Sequence, residues 1–362
     1  MGNPVNQKGA NGLIAEYQAA LTLAMQLNSH GYVIETDIAE LEKKLSETTL
    51  RVANELSLEQ VSRAKCQGVA IGNYLFDSLL TSPAQIGLEL SVEYLQECKF
   101  KVDPVGNKTN SGDPRDLTIT AFGIGIAHDL PVSIKAYASN VSSLGSKSGR
   151  AALSRLFLGK EKVTDVEFAK AFGHDATEYL ETLKLFKDSA KKFYASPESE
   201  SFLQEYEARK GHRRVNNKLR RKEVGQFFTK EYGFVSEHKL ASLYAKMHNF
   251  GSTTLVGKTV DEVSYVESFK FILGNPQMLV LDAKAGDDGV VREVVNSYMN
   301  PAYLKLNSLL RPGMNVVLGA KERSSDIQVE LSRDGESFQG LVLAMWKDGT
   351  IQYKINSSVD VG

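Results

Sequence analysis

Apolar residues recur at helical spacing near the start of the chain and predict a helix there. Within residues 12–30 they fall three and four positions apart on one face: Leu13, Tyr17, Ala20, Leu21 and Ala24. Residues 36–64 show the same spacing with charged residues between the apolar ones, which predicts a second long helical stretch. Residues 68–98 are mostly apolar, and their pattern fits either a helix or a strand.

The pattern changes to alternation of apolar and polar residues between residues 99 and 140. Two runs alternate in this way, "LTITA" from Leu117 and "VSIKAY" from Val132. Side chains alternate across a strand, so each run has one apolar and one polar face. The intervening "GIGIAHDLP" is typical of a hairpin connection. We therefore expect neighbouring antiparallel strands over residues 116–121 and 132–137.

Helical patterns return after residue 140 and give way to strand patterns in the C-terminal third. The stretch "TDVE" at 164–167 is a capping box at a helix start, and "SPESES" at 196–201 predicts a break. Asp-Gly pairs at 334–335 and 348–349 separate β-like runs and predict hairpin turns. The predicted fold class is α/β (α+β), with a mixed central sheet flanked by helices and a β-richer C-terminal part.

The composition is that of a soluble globular protein. Of 362 residues, 42% are hydrophobic and 24% are charged, and the net charge is −1. A nearly neutral chain has no overall field that attracts nucleic acid, so such a partner has to be met by a local patch. The two cysteines are too few for a disulfide framework or a thiolate zinc site. With no secretory signal and no long apolar run, the chain is expected to be cytoplasmic and to have no membrane partner.

The polar face of the alternating pair carries candidate chemistry. Asp116 opens the first run, and Ser133 and Lys135 lie two residues apart on the second. If the strands pair, a carboxylate and an ammonium group share one face of a rigid sheet. Such a carboxylate can hold Mg²⁺, while a neighbouring lysine can orient an attacking water and stabilise charge on a phosphate. This combination suits hydrolysis of a phosphodiester.

The stretch resembles the PD-(D/E)XK nuclease superfamily, particularly the type II restriction endonucleases. In that family an acid opens one strand of a hairpin and an acid-x-lysine triplet lies on the next strand. Here Asp116 and the triplet Ser133-Ile134-Lys135 occupy those positions. Members often add a glutamate from an N-terminal helix, and Glu16 in "NGLIAEYQAAL" is the candidate. The resemblance covers roughly residues 10–155.

This resemblance implies a Mg²⁺-dependent endonuclease that hydrolyses double-stranded DNA. It implies that Asp116 and Glu16 are metal ligands, that Lys135 orients the water, and that Ser133 belongs to the catalytic group. A palindromic target would imply a homodimer, because protein symmetry then mirrors the symmetry of the DNA.

Two departures from the family pattern leave alternatives open. Arg115 precedes Asp116, and the proline of the pattern follows Asp113, so Asp113 is an alternative metal ligand. Ser133 stands where the family usually has an acid, and no acid occurs between Lys135 and Glu161 to replace it. The missing carboxylate would have to come from one of four glutamates: Glu16, Glu89, Glu93 or Glu97.

A second acid-x-lysine triplet is the main rival for the active site. Asp282-Ala283-Lys284 follows a strand-like run in "QMLVLDAKAGDDG". Its upstream acid would be Asp261 or Glu262, in a stretch whose pattern is more helical than strand-like. A strand that ends in a charged turn is the preferred explanation of this triplet.

A concentrated basic segment lies at residues 208–226. It carries eight lysines and arginines in an otherwise nearly neutral protein, a pattern that neutralises phosphates. The candidate DNA-binding residues are Arg213, Arg214, Lys218, Arg220, Arg221 and Lys222. A solvated helix face is the structural alternative.

Together these features predict a Mg²⁺-dependent DNA endonuclease of the restriction type. Residues 1–200 are expected to form the nuclease core with its N-terminal helices. Residues 201–362 are expected to hold the basic helical segment and a β-rich part that contributes to DNA recognition. The alternative is a nucleic-acid-binding protein that keeps the nuclease fold without catalysis.

Overall fold

The computed structural model describes most of the chain. Its described residues are 10–52, 56–105, 115–123, 125–136, 141–208, 213–274, 276, 278–286 and 288–358. Within these ranges, the side chains of residues 10, 141, 142, 206 and 213–219 are not described.

Helices and strands alternate along the chain in irregular groups. The helices are α1 Ala10–Ser29, α2 Ile38–Val52, α3 Leu58–Thr81, a 3-10 turn Pro83–Ile86, α4 Val92–Gln96, α5 Gly149–Leu158, α6 Asp165–Phe172, α7 His174–Ala195, α8 Ser199–Ala208, α9 Arg213–Tyr232, α10 Ser236–Thr254, α11 Glu262–Leu273 and α12 Pro301–Leu309. The strands are β1 Val33–Ile34, β2 Lys99–Pro104, β3 Leu117–Phe122, β4 Ala127–Lys135, β5 Val141–Ser148, β6 Leu279–Ala285, β7 Val291–Asn296, β8 Asn315–Ala320, β9 Asp326–Arg333, β10 Glu336–Met345 and β11 Thr350–Asn356.

These elements form two compact units, each with its own sheet. The first unit comprises Met1–Ser142 and Pro276–Leu304, and the second comprises Ser143–Asn275 and Lys305–Gly362. This division differs from the expected boundary after residue 200, because the chain leaves the first sheet after β4 and rejoins it only at β6. The first unit is therefore built from two segments that are distant in sequence.

The first unit contains a six-stranded mixed sheet in the order β1-β2-β3-β4-β6-β7. β3 pairs antiparallel with β4, with Leu117 opposite Val132, which confirms the expected neighbouring strands. β4 pairs in parallel with β6, and β6 pairs antiparallel with β7. Parallel neighbours require a crossover connection, and residues 136–278 provide it here.

Two helices cover the apolar face of this sheet. α1 and α3 share one hydrophobic core with strand residues such as Ile119 and Leu281, so the amphipathic helix expected at the N-terminus is confirmed. α3 approaches α1 closely at Gly68, where a Cβ atom would lie 2.6 Å from the carbonyl oxygen of Ala15. Glycine is required there because any side chain would push the two helices apart.

The second unit contains a five-stranded sheet in the order β5-β11-β10-β9-β8, with antiparallel pairs from β8 to β11. Asp334 and Gly335 form the turn between β9 and β10 with φ values of 52° and 85°. Positive φ at both positions is what a two-residue hairpin needs. Gly349, in the turn between β10 and β11, has a φ of 78°. Both predicted Asp-Gly turns are confirmed.

The fold class matches the expectation from the sequence. Both units combine helices with sheets, and the C-terminal part is richer in strands. Thr164 caps α6 by accepting a hydrogen bond from the Glu167 N–H at 3.2 Å, as the capping box predicted. Among the described helices, none has the combined length and apolarity that would let it cross a membrane.

Candidate functional site

Asp116 lies immediately before β3 and is held by the neighbouring strand β4. Its Oδ2 atom accepts hydrogen bonds from the Ser133 hydroxyl at 3.0 Å and from the Ile134 N–H at 2.7 Å. Both polar side chains are withdrawn from solvent: Asp116 is 8% exposed and Ser133 is 2% exposed. Two donors on one oxygen fix the orientation of the carboxylate, and a carboxylate is an oxygen ligand of the kind that Mg²⁺ prefers. Ser133 therefore orients the acid.

Lys135 lies beside Asp282 in the parallel ladder between β4 and β6, where the two residues are register partners. The intervening core residues Ile134 and Leu281 point towards α1 and α3. Because side chains alternate along strands, Ser133, Lys135 and Asp282 point to the opposite face. The two triplets that the sequence treats as rivals therefore lie on neighbouring strands and share one face of the first sheet.

The Asp282-Ala283-Lys284 triplet is buried and internally paired. The Lys284 Nζ atom lies 2.5 Å from Asp282 Oδ2, and the Asp282 side chain is fully buried. Gln67 of α3 donates its side-chain amide to the carbonyl oxygen of Ala283 at 2.8 Å. A buried ion pair loses hydration on both partners, so it needs such close geometry. α3 thus fixes the backbone between the acid and the lysine.

The spacing of the strands determines how Asp116 and Asp282 can act together. They lie on either side of β4, Asp116 beside Ser133 and Asp282 beside Lys135. They are therefore offset by two residues along the strand direction. Strand spacings of about 4.8 Å and a rise of about 3.3 Å per residue place their Cα atoms about 12 Å apart. Mg²⁺ holds its oxygen ligands at about 2.1 Å, so one ion could bridge both acids only if their side chains extended towards each other. The separation fits two ions about 3.5–4 Å apart, one at each acid.

Glu16 is buried in α1, at 1% exposure. α1 covers the apolar face of the sheet, whereas Asp116 and Asp282 belong to the other face. Gly68 of α3 packs against the carbonyl of Ala15, the residue before Glu16. Gln67, the residue before Gly68, bonds Ala283, so Glu16 lies near the part of α3 that contacts β6. Its assignment as a metal ligand stays a prediction.

The other glutamates considered as replacements for the acid missing at Ser133 are exposed: Glu89, Glu93 and Glu97. Tyr94 of α4 packs against His128, with ring centroids 5.9 Å apart, at the hairpin end of β3 and β4. Asp116 lies at the opposite end of β3, about six residues or 20 Å away. Glu93 and Glu97 flank Tyr94 in sequence and are therefore remote from Asp116. Asp113, the alternative ligand, lies outside the described residues.

The upstream acids proposed for the rival triplet have a local structural role. Asp261 is the N-cap of α11 and accepts a hydrogen bond from the Ser264 N–H at 2.9 Å. This bond, together with one from the Ser264 hydroxyl, lowers the pKa of the Asp261 carboxyl. Glu262 lies in the first turn of the same helix. Both residues belong to the second unit, whereas Asp282 belongs to the first.

Residues 213–226 of the basic segment belong to α9 in the second unit, and residues 209–212 lie outside the described residues. The side chains of Arg213, Arg214 and Lys218 lie outside the described part. Arg220 and Lys222 are exposed. Arg221 lies 3.2 Å from Asp348 and 5.0 Å from the Trp346 ring centroid. Surface ion pairs contribute at most about 1 kcal/mol, so this contact does not prevent Arg221 from meeting a phosphate.

One further group of metal-type side chains lies within the described residues, at the start of α7. Ligand atoms of His174, Asp175 and Glu178 lie within 4.8 Å of one another. Glu178 also accepts a hydrogen bond from Lys239, which lowers the pKa of its carboxyl. Exposed acidic groups of this kind are common without a bound ion, so the group carries no assignment.

Sequence reasoning missed the partnership of Asp282 with Lys135 and the role of Gln67. The signal for Asp282 was present, because a literal acid-x-lysine triplet follows a buried strand. Its position beside β4 depends on parallel pairing, which has no local sequence signature. For Gln67 the sequence offers no signal beyond a polar residue on a largely apolar helix face.

Comparisons of the chain with protein-family models, with curated proteins and with solved structures found no match. The resemblance to PD-(D/E)XK nucleases therefore rests on the sequence motif alone.

Proposed function

We propose that this protein is a Mg²⁺-dependent endonuclease that hydrolyses phosphodiester bonds in double-stranded DNA. The observation that carries the proposal is the meeting of β3, β4 and β6. Together they carry Asp116, Lys135 and Asp282 on one face of a rigid sheet. Two acids that flank a lysine combine metal-ligand chemistry with stabilisation of charge on a phosphate.

Each residue has a defined part in this proposal. Asp116 and Asp282 would hold Mg²⁺, which activates water and neutralises the charge that develops on the phosphate. Lys135, between the two acids, orients the attacking water and stabilises the phosphate oxygen. Lys284 pairs with Asp282 and orients its carboxylate. Glu16 is retained as an auxiliary acid.

The alternative function is sequence-specific or general DNA binding without catalysis. It is favoured by the absence of an acid at Ser133 and by the close pairing of Asp282 with Lys284. In that case the buried pair stabilises the sheet and holds no metal.

For either function, a palindromic DNA target would require a homodimer, because the symmetry of the protein then matches that of the DNA.

Cleavage of mixed-sequence plasmid DNA by the purified protein, with Mg²⁺ and with EDTA, tests the proposal. We expect cleavage only with Mg²⁺, and a loss of at least about 100-fold in Asp116→Asn and in Asp282→Asn, because each removes a metal-binding charge. DNA binding should persist in both variants, since most backbone contacts come from elsewhere.

Asp129→Asn is the matched control for these variants. Asp129 lies on β4 but accepts a hydrogen bond from Thr120 at 2.7 Å, near the hairpin end. Its replacement should leave cleavage unchanged. Wild-type cleavage by Asp116→Asn would refute the assigned site. DNA binding without any Mg²⁺-dependent cleavage by the wild type would favour the non-catalytic alternative.

A further inference from the structure

A small cleft opens in the second unit between α7, α8 and α9. It is lined by Tyr194, Phe202, Leu203 and Arg220, and its volume is ≈ 270 Å³. Pockets for drug-sized ligands range from about 300 to 1,000 Å³, so this cleft suits one flat ring with its attached group. The phosphodiester site proposed above lies in the first unit and uses none of these residues.

The wall of the cleft is aromatic and firmly supported. The rings of Tyr194 and Phe202 lie 6.0 Å apart between centroids, and Phe193 packs behind Phe202 at 5.5 Å. Phe202 is only 6% exposed, whereas Leu203 at the mouth is 39% exposed. The cleft therefore offers aromatic faces tilted by 58° to one another, which solvent reaches at the mouth and which packing holds in place.

The cationic side of the cleft comes from α9. The Arg220 guanidinium carbon lies 5.5 Å from the Tyr194 ring centroid. Nearby lysines on α7 and α9 are paired, since Lys230 bonds Glu198 at 2.7 Å and Lys192 bonds Glu231. Within the described part of the chain, Arg220 has this aromatic contact and no ion pair. Its charge is therefore available to an anion that enters the cleft.

We propose that the cleft binds one unpaired base of a DNA strand, with Arg220 neutralising its phosphate. Base stacking on aromatic side chains beside a cationic groove is a general mode of single-strand binding. The basic residues at the start of α9 favour a nucleotide base over the aromatic side chain of a peptide as the occupant of the cleft. Its arginines and lysines match a polyanion, and a peptide ring would gain nothing from them.

Equilibrium binding in EDTA tests the proposal, because cleavage then plays no part. The full chain is titrated with a labelled single strand of about 12 nucleotides and with an abasic strand of equal length and charge. We expect the strand with bases to bind roughly 5- to 150-fold more tightly, the range measured for stacking on an aromatic residue. Tyr194→Ala should remove most of this difference, and Tyr194→Phe should keep it.

Further variants separate stacking from folding and from charge. Leu203→Asn changes an exposed residue at the cleft mouth without adding charge, so the fold should persist while binding of the strand with bases weakens. Arg220→Ala should weaken both strands and lower the salt slope by the amount expected for about one phosphate. Lys191→Ala, an exposed charge on α7 outside the cleft, should change neither strand.

Two results would overturn the proposal. One is equal affinity for the normal and abasic strands in the wild type. The other is retention of the difference in both Tyr194→Ala and Leu203→Asn. Tighter binding of a free deoxynucleoside monophosphate than of the strand would also refute a polymer as the occupant. None of these results depends on whether the protein cleaves DNA.

Discussion

At the scale of single residues, Asp116 is oriented by the strand next to it. The Ser133 hydroxyl and the Ile134 N–H both donate to the same carboxylate oxygen. Hydrogen bonds to a charged group contribute about 1.5–3 kcal/mol. Ser133, which departs from the family motif, is therefore part of the support for the acid.

Ser133→Ala tests this supporting role. It removes the bond at 3.0 Å and keeps the one at 2.7 Å. We expect cleavage to fall about 3- to 30-fold, equivalent to about 0.7–2 kcal/mol. Ser133→Thr keeps the hydroxyl and serves as the control. If Ser133→Ala is as inactive as Asp116→Asn, Ser133 acts directly and the supporting role is wrong.

Gln67 is a positioning residue for the second acid. Gln67→Met keeps the shape of the side chain and leaves the Ala283 carbonyl without this buried donor, at a cost of about 1–3 kcal/mol in unfolding free energy. We expect kcat for plasmid cleavage to fall about tenfold with little change in KM, because the acid is misplaced while DNA binding is kept.

Gln26→Met is the control for Gln67→Met. Gln26 bonds Asn73 at 3.3 Å between α1 and α3 and has no part in holding β6. It should lose stability without losing kcat. Equal loss of kcat in the two variants would show that helix packing, not the position of Ala283, is responsible.

At the scale of elements, α9 joins a basic half to an apolar half. Val224 and Phe228 are buried in an aromatic core with α7 and α8, while Arg220 and Lys222 are exposed. This division anchors the helix at one end and presents charge at the other. The buried residues explain how residues 213–226, despite their many cations, belong to a helix that packs on the second unit.

Replacement of four α9 arginines by alanine should weaken duplex DNA binding at low salt. The residues are Arg213, Arg214, Arg220 and Arg221. The slope of log K against log salt should flatten by about 0.9 for each phosphate that is no longer neutralised. Arg221 should contribute least, because it must first leave Asp348. Fluorescence anisotropy over a salt series measures the slope, and Lys187→Ala with Lys191→Ala on α7 is the control. An unchanged slope in the α9 variant would identify an ordinary solvated helix.

At the scale of the whole molecule, acid should weaken the second unit through His248. This residue is fully buried against Phe157, with ring centroids 5.3 Å apart. Burial lowers its pKa from 6.5 to about 3. The folded state therefore keeps the ring neutral, while the unfolded state takes up a proton below about pH 6.5.

The sign of the effect follows from this lowered pKa. The stabilisation is complete above about pH 6.5 and is lost progressively as the pH falls towards 3. Between pH 6.5 and 5 the loss is about 2 kcal/mol, at 1.36 kcal/mol per pH unit. Thermal unfolding at pH 7 and 5 measures it. His248→Phe should reduce the pH dependence, and the exposed His30→Gln should not; the same pH dependence in all three proteins would exclude His248.

The sequence by itself determined the local elements of this protein. Alternation of apolar residues predicted β3 and β4 as neighbours, and Asp-Gly pairs predicted the turns of the second sheet. These predictions succeeded because side-chain direction in a strand and φ in a turn depend on residues close together in the chain. The capping box at Thr164 succeeded for the same reason.

Only the tertiary structure decided that Asp282 lies beside Lys135 and that the first unit is made of two segments. Parallel pairing of β4 with β6 requires the chain to pass through residues 136–278 before it returns to the same sheet. No periodicity or turn signal encodes the partner of a strand over such a distance, because the pairing is selected by burial on both faces of β6. Two triplets that compete in the sequence therefore become neighbours in the fold.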